Sequence, residues 1–330
     1  MRLLDQIAQH PEPFLVRQND GRVLRLAGAG DYSAVIQRCP LRYVLADDLT
    51  RDCTALAYSD GARLADCLDL VHMPAREWWV EWNDEAREQE YRTALCLASP
   101  APRPAAVARA GAYIRAEAGG RSGVMRTFWS CRDQPNDPLL APLEIHFDLD
   151  TAVECRGSLN ELLNGTCVSV PIVAAPGVCE VMQRARYRLD PGWLSYYQGN
   201  VVTASARQQV LSESLGTVAA DFPIVVALLL MMTVRGGLPQ RREDLVPLNA
   251  KRSRLGKPPL LEHIEMSSPI VPLRALTMSS DPQALRRTAR LHHVRGHLVR
   301  RANLIFWRTP HWRGHLRLGQ VRSRTITLHS

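Results

Sequence analysis

The feature that most constrains the fold is an uninterrupted apolar run, FPIVVALLLMMTV, at residues 222–234. This run is shorter than the roughly 20 residues that a helix needs to cross the hydrocarbon core of a bilayer. Its side chains must therefore be covered by the rest of the protein, which predicts a buried helix. Asp221 is placed to cap this helix, Pro223 suits its first turn, and the segment Ala204 to Ala220 is expected to form a helical hairpin with it.

The chain has the composition of a folded globular protein, since 46% of its 330 residues are hydrophobic and 22% are charged. That balance excludes the class of disordered proteins with low hydrophobicity and high charge. Helical and strand-like segments alternate along the chain, so we predict an α+β fold. We expect a mixed helical and strand body over residues 1–275, with the buried apolar helix inside it, and a small basic β-rich C-terminal module over residues 276–330.

Shorter segments of the body carry local signals of secondary structure. Helices are expected over Asp31–Gln37 and around Thr50–Leu70. The segment EWWVEW at residues 77–82 predicts a half-buried strand in which only Trp79, among three tryptophans, faces outward. A loop over Gln134–Pro142 is expected to precede a strand from Leu143 to Leu149.

The last part of the chain is expected to leave the body through a connector. Residues 236–282 hold repeated prolines and a cluster of four cations, which predicts an extended segment on the surface. Beyond it, strands are expected over Leu298–Trp307 and Gln320–Leu328, around a turn at Pro310–Gly314. The four cations of the connector are Lys251, Arg252, Arg254 and Lys257.

The charge of the chain is distributed unevenly. The formal charge is +8, from 41 basic and 33 acidic residues, but Pro282 to Ser330 hold 11 arginines and no Asp or Glu, which leaves about −3 for residues 1–281. The chain has two lysines, so nearly every cation is an arginine. GC-rich coding alone would favour arginine, yet guanidinium groups also fork onto phosphate and stack on bases better than ammonium groups do.

In the tail the arginines are interleaved with histidine and tryptophan. Cations that neutralise phosphates, next to rings that stack on bases, are typical of a surface that holds a nucleic-acid strand, and we predict that this strand is RNA. The alternative is a solvated basic surface that complements the acidic body, although a body charge of about −3 does not call for 11 arginines. The residues predicted to bind nucleic acid are Arg286, Arg287, Arg290, His292, His293, Arg295, Gly296, His297, Arg300, Arg301, Trp307, Arg308, Trp312 and Arg313.

The tail histidines leave two enzymatic alternatives to weigh. A metal-independent endoribonuclease needs a base, an acid and a cation on the phosphorane, and His292, His293, His297 and Arg295 can fill those roles. A zinc site on His293 and His297 has the spacing of a helical H-E-x-x-H motif, but Gly296 disfavours a helix and no third ligand lies nearby. A DNA-binding regulator would use the same cations.

The body offers one possible metal site and no signature of a cofactor. Glu144, Asp148 and Asp150 have the spacing of one strand face and could bind a metal, although an exposed strand face is the expected interpretation. A dinucleotide fingerprint, a P-loop and a G-x-S-x-G elbow do not occur, so no cofactor is expected. The eight cysteines form no C-x-x-C pair and are expected to be reduced, and the N-terminus has no signal peptide, which predicts a cytoplasmic protein that uses no membrane.

Three segments together resemble the type V-A anti-CRISPR protein 2 family, which phages, plasmids and other mobile elements carry. The tail pattern R-x-H-x-x-R-G-H is matched by residues 290–297 and is followed by Trp307, in a tryptophan-bearing strand. An apolar helix followed by a segment similar to L-P-x-x-R-E-x-L is matched by Phe222–Val234 and Leu238–Leu245. A Met-Pro turn before an aromatic strand is matched at Met73, Pro74 and Trp78–Trp82.

The resemblance implies a binding protein that works near the ribosome. Members of that family lower the level of the type V CRISPR nuclease by causing loss of its mRNA during translation, and they recognise the emerging N-terminal peptide of the nuclease. On this interpretation the basic tail faces RNA or a translating ribosome complex, and the acidic body recognises a nascent peptide. Relatives in hosts without that nuclease would have other targets or other roles, so membership leaves the target open.

Overall fold

The computed structural model describes residues 1–19, 21–94, 107–134, 137–171, 178–200, 203–234, 237–268, 290–294, 297–301, 304–308, 311–313 and 315–320. Contacts within the chain divide it into two compact units. The first unit holds Met1–Thr233 and Leu238–Ser268, and the second holds Val234–Gly237 and Pro269–Ser330.

The predicted α+β class is confirmed, because helices and strands both form the first unit. Its strands are β1 (Phe14–Arg17), β2 (Val23–Leu26), β3 (Leu41–Leu45), β4 (Glu77–Asn83), β5 (Val107–Ala116), β6 (Ser122–Cys131), β7 (Leu139–Asp148), β8 (Ala185–Leu189), β9 (Gln240–Arg242) and β10 (Ile264–Met266). Within the described residues, eight of them form one sheet in the order β8-β7-β6-β5-β4-β3-β10-β9, and β1 and β2 form a separate hairpin. The sheet is mixed, since β3 is parallel to both β4 and β10 while the other pairs are antiparallel.

Helices cover both faces of this sheet. They are α1 (Leu3–Gln9), α2 (Ser33–Arg38), α3 (Asp47–Ser59), α4 (Gly61–Ala65), α5 (Asp84–Ala94), α6 (Leu159–Leu163), α7 (Val178–Met182), α8 (Pro191–Asn200), α9 (Ala204–Ala219), α10 (Phe222–Met232) and α11 (Val246–Arg254). Short 3-10 turns lie at Ala29–Tyr32 and Leu68–Leu70. The region predicted as a helix around Thr50–Leu70 is thus divided between α3, α4 and the second 3-10 turn.

The predicted buried helix is confirmed as α10, in which every residue from Phe222 to Met231 is buried. The predicted hairpin with the preceding segment is wrong. Ala220 and Asp221, between α9 and α10, keep helical backbone angles, so the chain does not reverse there, and the Asp221 side chain makes no capping hydrogen bond. In the described part of the chain, Ala204–Met232 is the one stretch long and apolar enough to span a membrane, and 83% of its most apolar window is buried inside the protein.

The expectation of a half-buried strand at residues 77–82 is wrong, because β4 is covered on both faces. Trp78, Trp79 and Trp82 are all fully buried. Trp79 does not face outward: its ring lies 5.4 Å from that of Phe128, and its Nε1 donates a hydrogen bond to Glu81 at 3.2 Å. Helices α1 and α2 supply the cover on this face, in a cluster that includes Leu3, Leu4, Ile7 and Ile36.

The predicted loop before residue 143 is shorter than expected, since β7 begins at Leu139 and includes Pro142. The register explains how a proline fits there. Arg126 pairs with Glu144 and Phe128 pairs with Leu140, so three residues of β7 lie opposite the single residue Thr127. Pro142 lies in this bulge, where its missing N–H removes no hydrogen bond from the ladder.

The predicted extended connector is also wrong over residues 240–266, which form β9, α11 and β10. Strand β10 lies inside the main sheet, with β3 on one side and β9 on the other. The basic cluster at residues 251–257 therefore belongs to an ordered helix and the turn that ends it.

The second unit consists of short strands in its described part. They are β11 (Arg290–Val294), β12 (His297–Arg301), β13 (Leu304–Arg308), β14 (His311–Arg313) and β15 (His315–Gln320). The single strand predicted over Leu298–Trp307 is wrong, because β12 and β13 form an antiparallel hairpin. Strand β15 ends at Gln320, and residues 321–328 of the last predicted strand lie outside the described residues.

Candidate nucleic-acid interface

One face of the hairpin β12–β13 carries two buried side chains, Leu298 and Ile305. Opposed residues of an antiparallel pair share a face, so the pairs Leu298–Trp307 and Arg300–Ile305 lie together. Leu298 and Ile305 are 1% and 3% exposed. Trp307, which was predicted to contact nucleic acid, is half-buried on this face, and its buried Nε1 has no hydrogen-bond partner among the described residues.

The opposite face of the hairpin is more open, and its described side chains include an exposed arginine and an aromatic ring. The pairs His297–Arg308, Val299–Phe306 and Arg301–Leu304 lie on it. Arg308 is exposed and Phe306 is half-buried. Phe306 is not among the residues predicted from the sequence to bind nucleic acid, although its ring shares a face with Arg308. This face can place a base on the ring while the guanidinium group of Arg308 meets a flanking phosphate.

Strands β11, β14 and β15 form a second small sheet, in the order β14-β11-β15. His292 is paired with Arg313, and His293 with Trp312. Since His292 and His293 are neighbours on a strand, they belong to opposite faces. His293 and His297 lie on two different strands, so the helical spacing of a zinc motif does not occur here.

The predicted site residues differ in how much of each one the structure describes. Arg286, Arg287, Arg295 and Gly296 lie outside the described residues. Backbone positions on β11, β12 and β14 are described for Arg290, His292, His293, His297, Arg301, Trp312 and Arg313. Side-chain burial is described for Arg300, Trp307 and Arg308, of which Arg300 and Arg308 are exposed.

Two of the three carboxylates considered for a metal site in the body, Glu144 and Asp150, are instead paired with arginines. Glu144 was expected on an exposed strand face, but it is 7% exposed. Its Oε2 accepts hydrogen bonds from Nε and Nη2 of Arg188, at 3.0 and 2.6 Å, and lies 2.9 Å from Nε2 of His146, while Oε1 meets Arg126. Three strands contribute these groups, so Glu144 ties β6, β7 and β8 together.

The charge around Glu144 stabilises its ionised form. Burial raises the pKa of this carboxyl group. The hydrogen bond with His146 and the charges of Arg126 and Arg188 lower the pKa by a larger amount, so that it falls to about 2. Asp148 ends β7 and Asp150 lies beyond it, where its carboxylate is paired with Arg121. The described residues contain no cluster of three or more His, Cys, Asp or Glu side chains that could hold a metal ion.

Sequence reasoning missed the partners of Glu144, although a signal was present. The segment ARYRL at residues 185–189 alternates arginine with apolar residues, which predicts a strand with Arg186 and Arg188 on one face. An acidic residue on a neighbouring strand can pair with such a face, as Glu144 does with Arg188. Pairing the two segments, however, depends on a sheet register that the sequence does not reveal.

Comparison of the chain with known protein families, with curated proteins and with solved structures found no match.

Proposed function

We propose that this protein binds RNA through its C-terminal unit and lowers the expression of a target gene while the mRNA is being translated. The observation that carries the proposal is the open face of the β12–β13 hairpin, where Phe306 lies among the register positions of His297, Arg301 and Arg308. The charge of the tail, 11 arginines without a carboxylate, supports a polyanion as the partner. The resemblance to the type V-A anti-CRISPR protein 2 family supports a role in translation-coupled repression for a mobile element.

The body and the C-terminal unit have different tasks in this proposal. The tail holds RNA or a translating ribosome complex without choosing a sequence, because phosphate contacts carry no sequence information. The choice of target then belongs to the acidic body, which would recognise a nascent peptide of the target protein.

Titration of the full chain with a fluorescent single-stranded RNA of about 20 nucleotides, at several salt concentrations, tests the first step. Replacing Phe306 with leucine keeps an apolar side chain but removes the ring, and we expect affinity to fall by at least about fivefold. Arg308→Ala should weaken binding and make its salt dependence shallower by about 0.7 in log–log slope, because one phosphate contact is lost. Arg156→Ala, at an 81% exposed arginine of the body, is the matched control and should leave affinity unchanged.

The competing activities give different outcomes in the same assay. Cleavage of the RNA in chelator, lost when His292, His293 or His297 is replaced while binding persists, would identify a metal-independent endoribonuclease instead. Tighter binding of duplex DNA than of RNA would identify a DNA-binding regulator. Equal affinity of the wild type, Phe306→Leu and Arg308→Ala for RNA would refute the proposed interface.

The regulatory step needs a cellular measurement. Expression of the protein in a host cell should lower the transcript and the protein level of its target together, and the Arg308→Ala variant should lower them less. Loss of a protein with an unchanged transcript level would contradict mRNA loss during translation.

A further inference from the structure

The basic ridge, residues 246–257, is an ordered element with no buried side chain in its helix. Helix α11 contains no buried residue, and Lys257 follows its terminal turn. The ridge holds four cations and no carboxylate, and both lysines of the chain lie on it: Lys251, Arg252, Arg254 and Lys257. A helix that buries nothing within its own chain gains little from packing, so its shape must be fixed in another way.

Hydrogen bonds to the following segment fix the shape of the ridge. The amide of Asn249 donates to the carbonyl of Leu260 at 3.0 Å and accepts from its N–H at 2.8 Å. Gly256, with φ of +65°, ends the helix, and the N–H groups of Gly256 and Lys257 bond the carbonyls of Ser253 and Arg252. The outward side chains are thus held on a rigid support.

The ridge also exposes large apolar side chains. Val246, Leu248 and Leu255 are 70%, 42% and 62% exposed, and they are three of the seven large apolar residues that are exposed in the described part of the chain. Leu248 lies on α11, and Leu255 directly follows the last residue of the helix, seven positions further on, so the two lie on the same side of the helix about 10 Å apart along its axis. Lys251 lies between them on that face.

We propose that the basic ridge is a docking surface for an acidic protein partner, one that presents an amphipathic helix with apolar side chains on one face and carboxylates beside them. Apolar anchors at i and i+7 with a cation at i+3 can pack against the apolar face of such a helix while the cations pair with its carboxylates. This surface belongs to the body and is independent of the RNA interface on the C-terminal unit.

Two other polyanionic partners fit the ridge less well. RNA recognition uses rings that stack on bases, and residues 246–257 contain no aromatic side chain or histidine. An anionic bilayer would have to take up Lys251 together with the leucines that flank it, and Val246 lies on the other side of the helix, so no single apolar face is present to insert.

A synthetic peptide of about 20 residues, with leucine on one helical face and glutamate on the others, tests the proposal on the full chain. We expect the peptide to bind, and the double variant Leu248→Ser with Leu255→Ser to lower its affinity by about tenfold or more. The control double variant is Leu15→Ser with Val23→Ser, at residues 57% and 61% exposed on the β1–β2 hairpin, and it should bind as the wild type does. Circular dichroism verifies that both variants stay folded.

The two lysines give a second readout at the same surface. A carbodiimide joins lysine amines to carboxylates that touch them, so mass spectrometry should find the peptide cross-linked at Lys251 or Lys257 in the wild type and at neither lysine in the Leu248→Ser with Leu255→Ser variant. No binding of the peptide, or equal binding by the two double variants, would overturn the proposal. Leucine-dependent binding of phosphatidylglycerol vesicles, or of a single-stranded RNA at Lys251 and Lys257, would assign the ridge to one of those partners and overturn it too.

Discussion

Arg188 on β8 lies directly opposite Glu144 on β7 and donates two hydrogen bonds to one oxygen of its carboxylate, at 3.0 and 2.6 Å. Arg126, on the other flanking strand, meets the second oxygen. A carboxylate that is 7% exposed is tolerated because these guanidinium groups replace the water it has lost. The buried charge of Glu144 is therefore stable only while Arg126 and Arg188 both keep their contacts with it.

Replacing Glu144 with glutamine should destabilise the protein in a pH-dependent way. The folded pKa of about 2 lies below the ordinary value of 4.5, so the contribution of Glu144 is present above pH 4.5 and is lost as pH falls towards 2. We expect the free energy of unfolding to drop by about 3 kcal/mol at pH 7 and by much less at pH 2.5. Urea unfolding at both pH values measures this difference.

The matched control is Glu154→Gln, at a residue whose side chain is 70% exposed and paired with an exposed arginine. It should change stability by less than about 0.5 kcal/mol at either pH. An equal loss of stability at pH 7 and pH 2.5 for Glu144→Gln would mean that Glu144 stabilises the protein through its packing rather than through its charge.

Replacing Asp52 with asparagine should have the opposite effect. Burial raises the pKa of Asp52 to about 6, although a hydrogen bond from Ser268 partly opposes the shift. Because the folded pKa lies above the ordinary value of 3.8, the native state binds a proton that the unfolded state has lost, and stability falls as pH rises from 3.8 to 6. We expect Asp52→Asn to stabilise the protein by about 2 kcal/mol at pH 7, and the gain to disappear near pH 4.

Thermal melts of both proteins from pH 4 to 7 test this expectation, with Asp133→Asn at an exposed position as the control. A gain that is the same at every pH would show that the asparagine adds a contact. A loss at pH 7 would show that the ionised Asp52 is needed to hold Ser268.

The apolar helix could be predicted from the sequence because its side chains demand cover wherever the chain places it. The environment of Trp79 and Glu81 could not be predicted in this way. Their face of the sheet is covered by α1, more than 70 residues earlier in the chain. The alternation of apolar and polar residues within a strand does not reveal whether a helix also packs on its second face. A period of two distinguishes the faces of a strand but not whether both are buried.

The candidate interface was predictable in composition but not in geometry. If residues 298–307 formed one strand, Trp307 would share a face with Val299 and Arg301. In the hairpin the reversal between β12 and β13 changes this relationship, and Phe306 takes that position instead. Arginine counts therefore identified the unit that we propose to bind a polyanion, while the choice of ring depended on the turn.

Replacing Glu81 with glutamine should loosen α1. The fully buried carboxylate accepts hydrogen bonds from the N–H groups of Leu3 and Leu4, at 3.2 and 2.8 Å, from Trp79, and from Arg109 at 2.9 Å. All of these groups are donors, so the amide nitrogen of glutamine would face another donor. We expect a loss of about 3 kcal/mol and faster hydrogen exchange at residues 3–9.

The control for this prediction is Glu85→Gln, whose side chain is 71% exposed and paired with Arg132. Its exchange pattern should match that of the wild type. Faster exchange throughout the sheet in Glu81→Gln, without an excess at residues 3–9, would contradict a specific anchoring of α1.

Replacing Leu298 with alanine should weaken the C-terminal hairpin and RNA binding together. Leu298 is 1% exposed and shares the buried face with Ile305, so the truncation removes packing that holds the register of β12 against β13. We expect a local destabilisation of about 2–4 kcal/mol, seen as faster amide exchange at residues 297–308 while residues 107–131 keep their protection.

The control is Val299→Ala, on the open face at a half-buried position, which should lower stability by less than about 1.5 kcal/mol. If the hairpin orders the interface, affinity for RNA falls with Leu298→Ala even though no cation or ring has been removed; unchanged affinity would place the RNA contacts elsewhere in the tail.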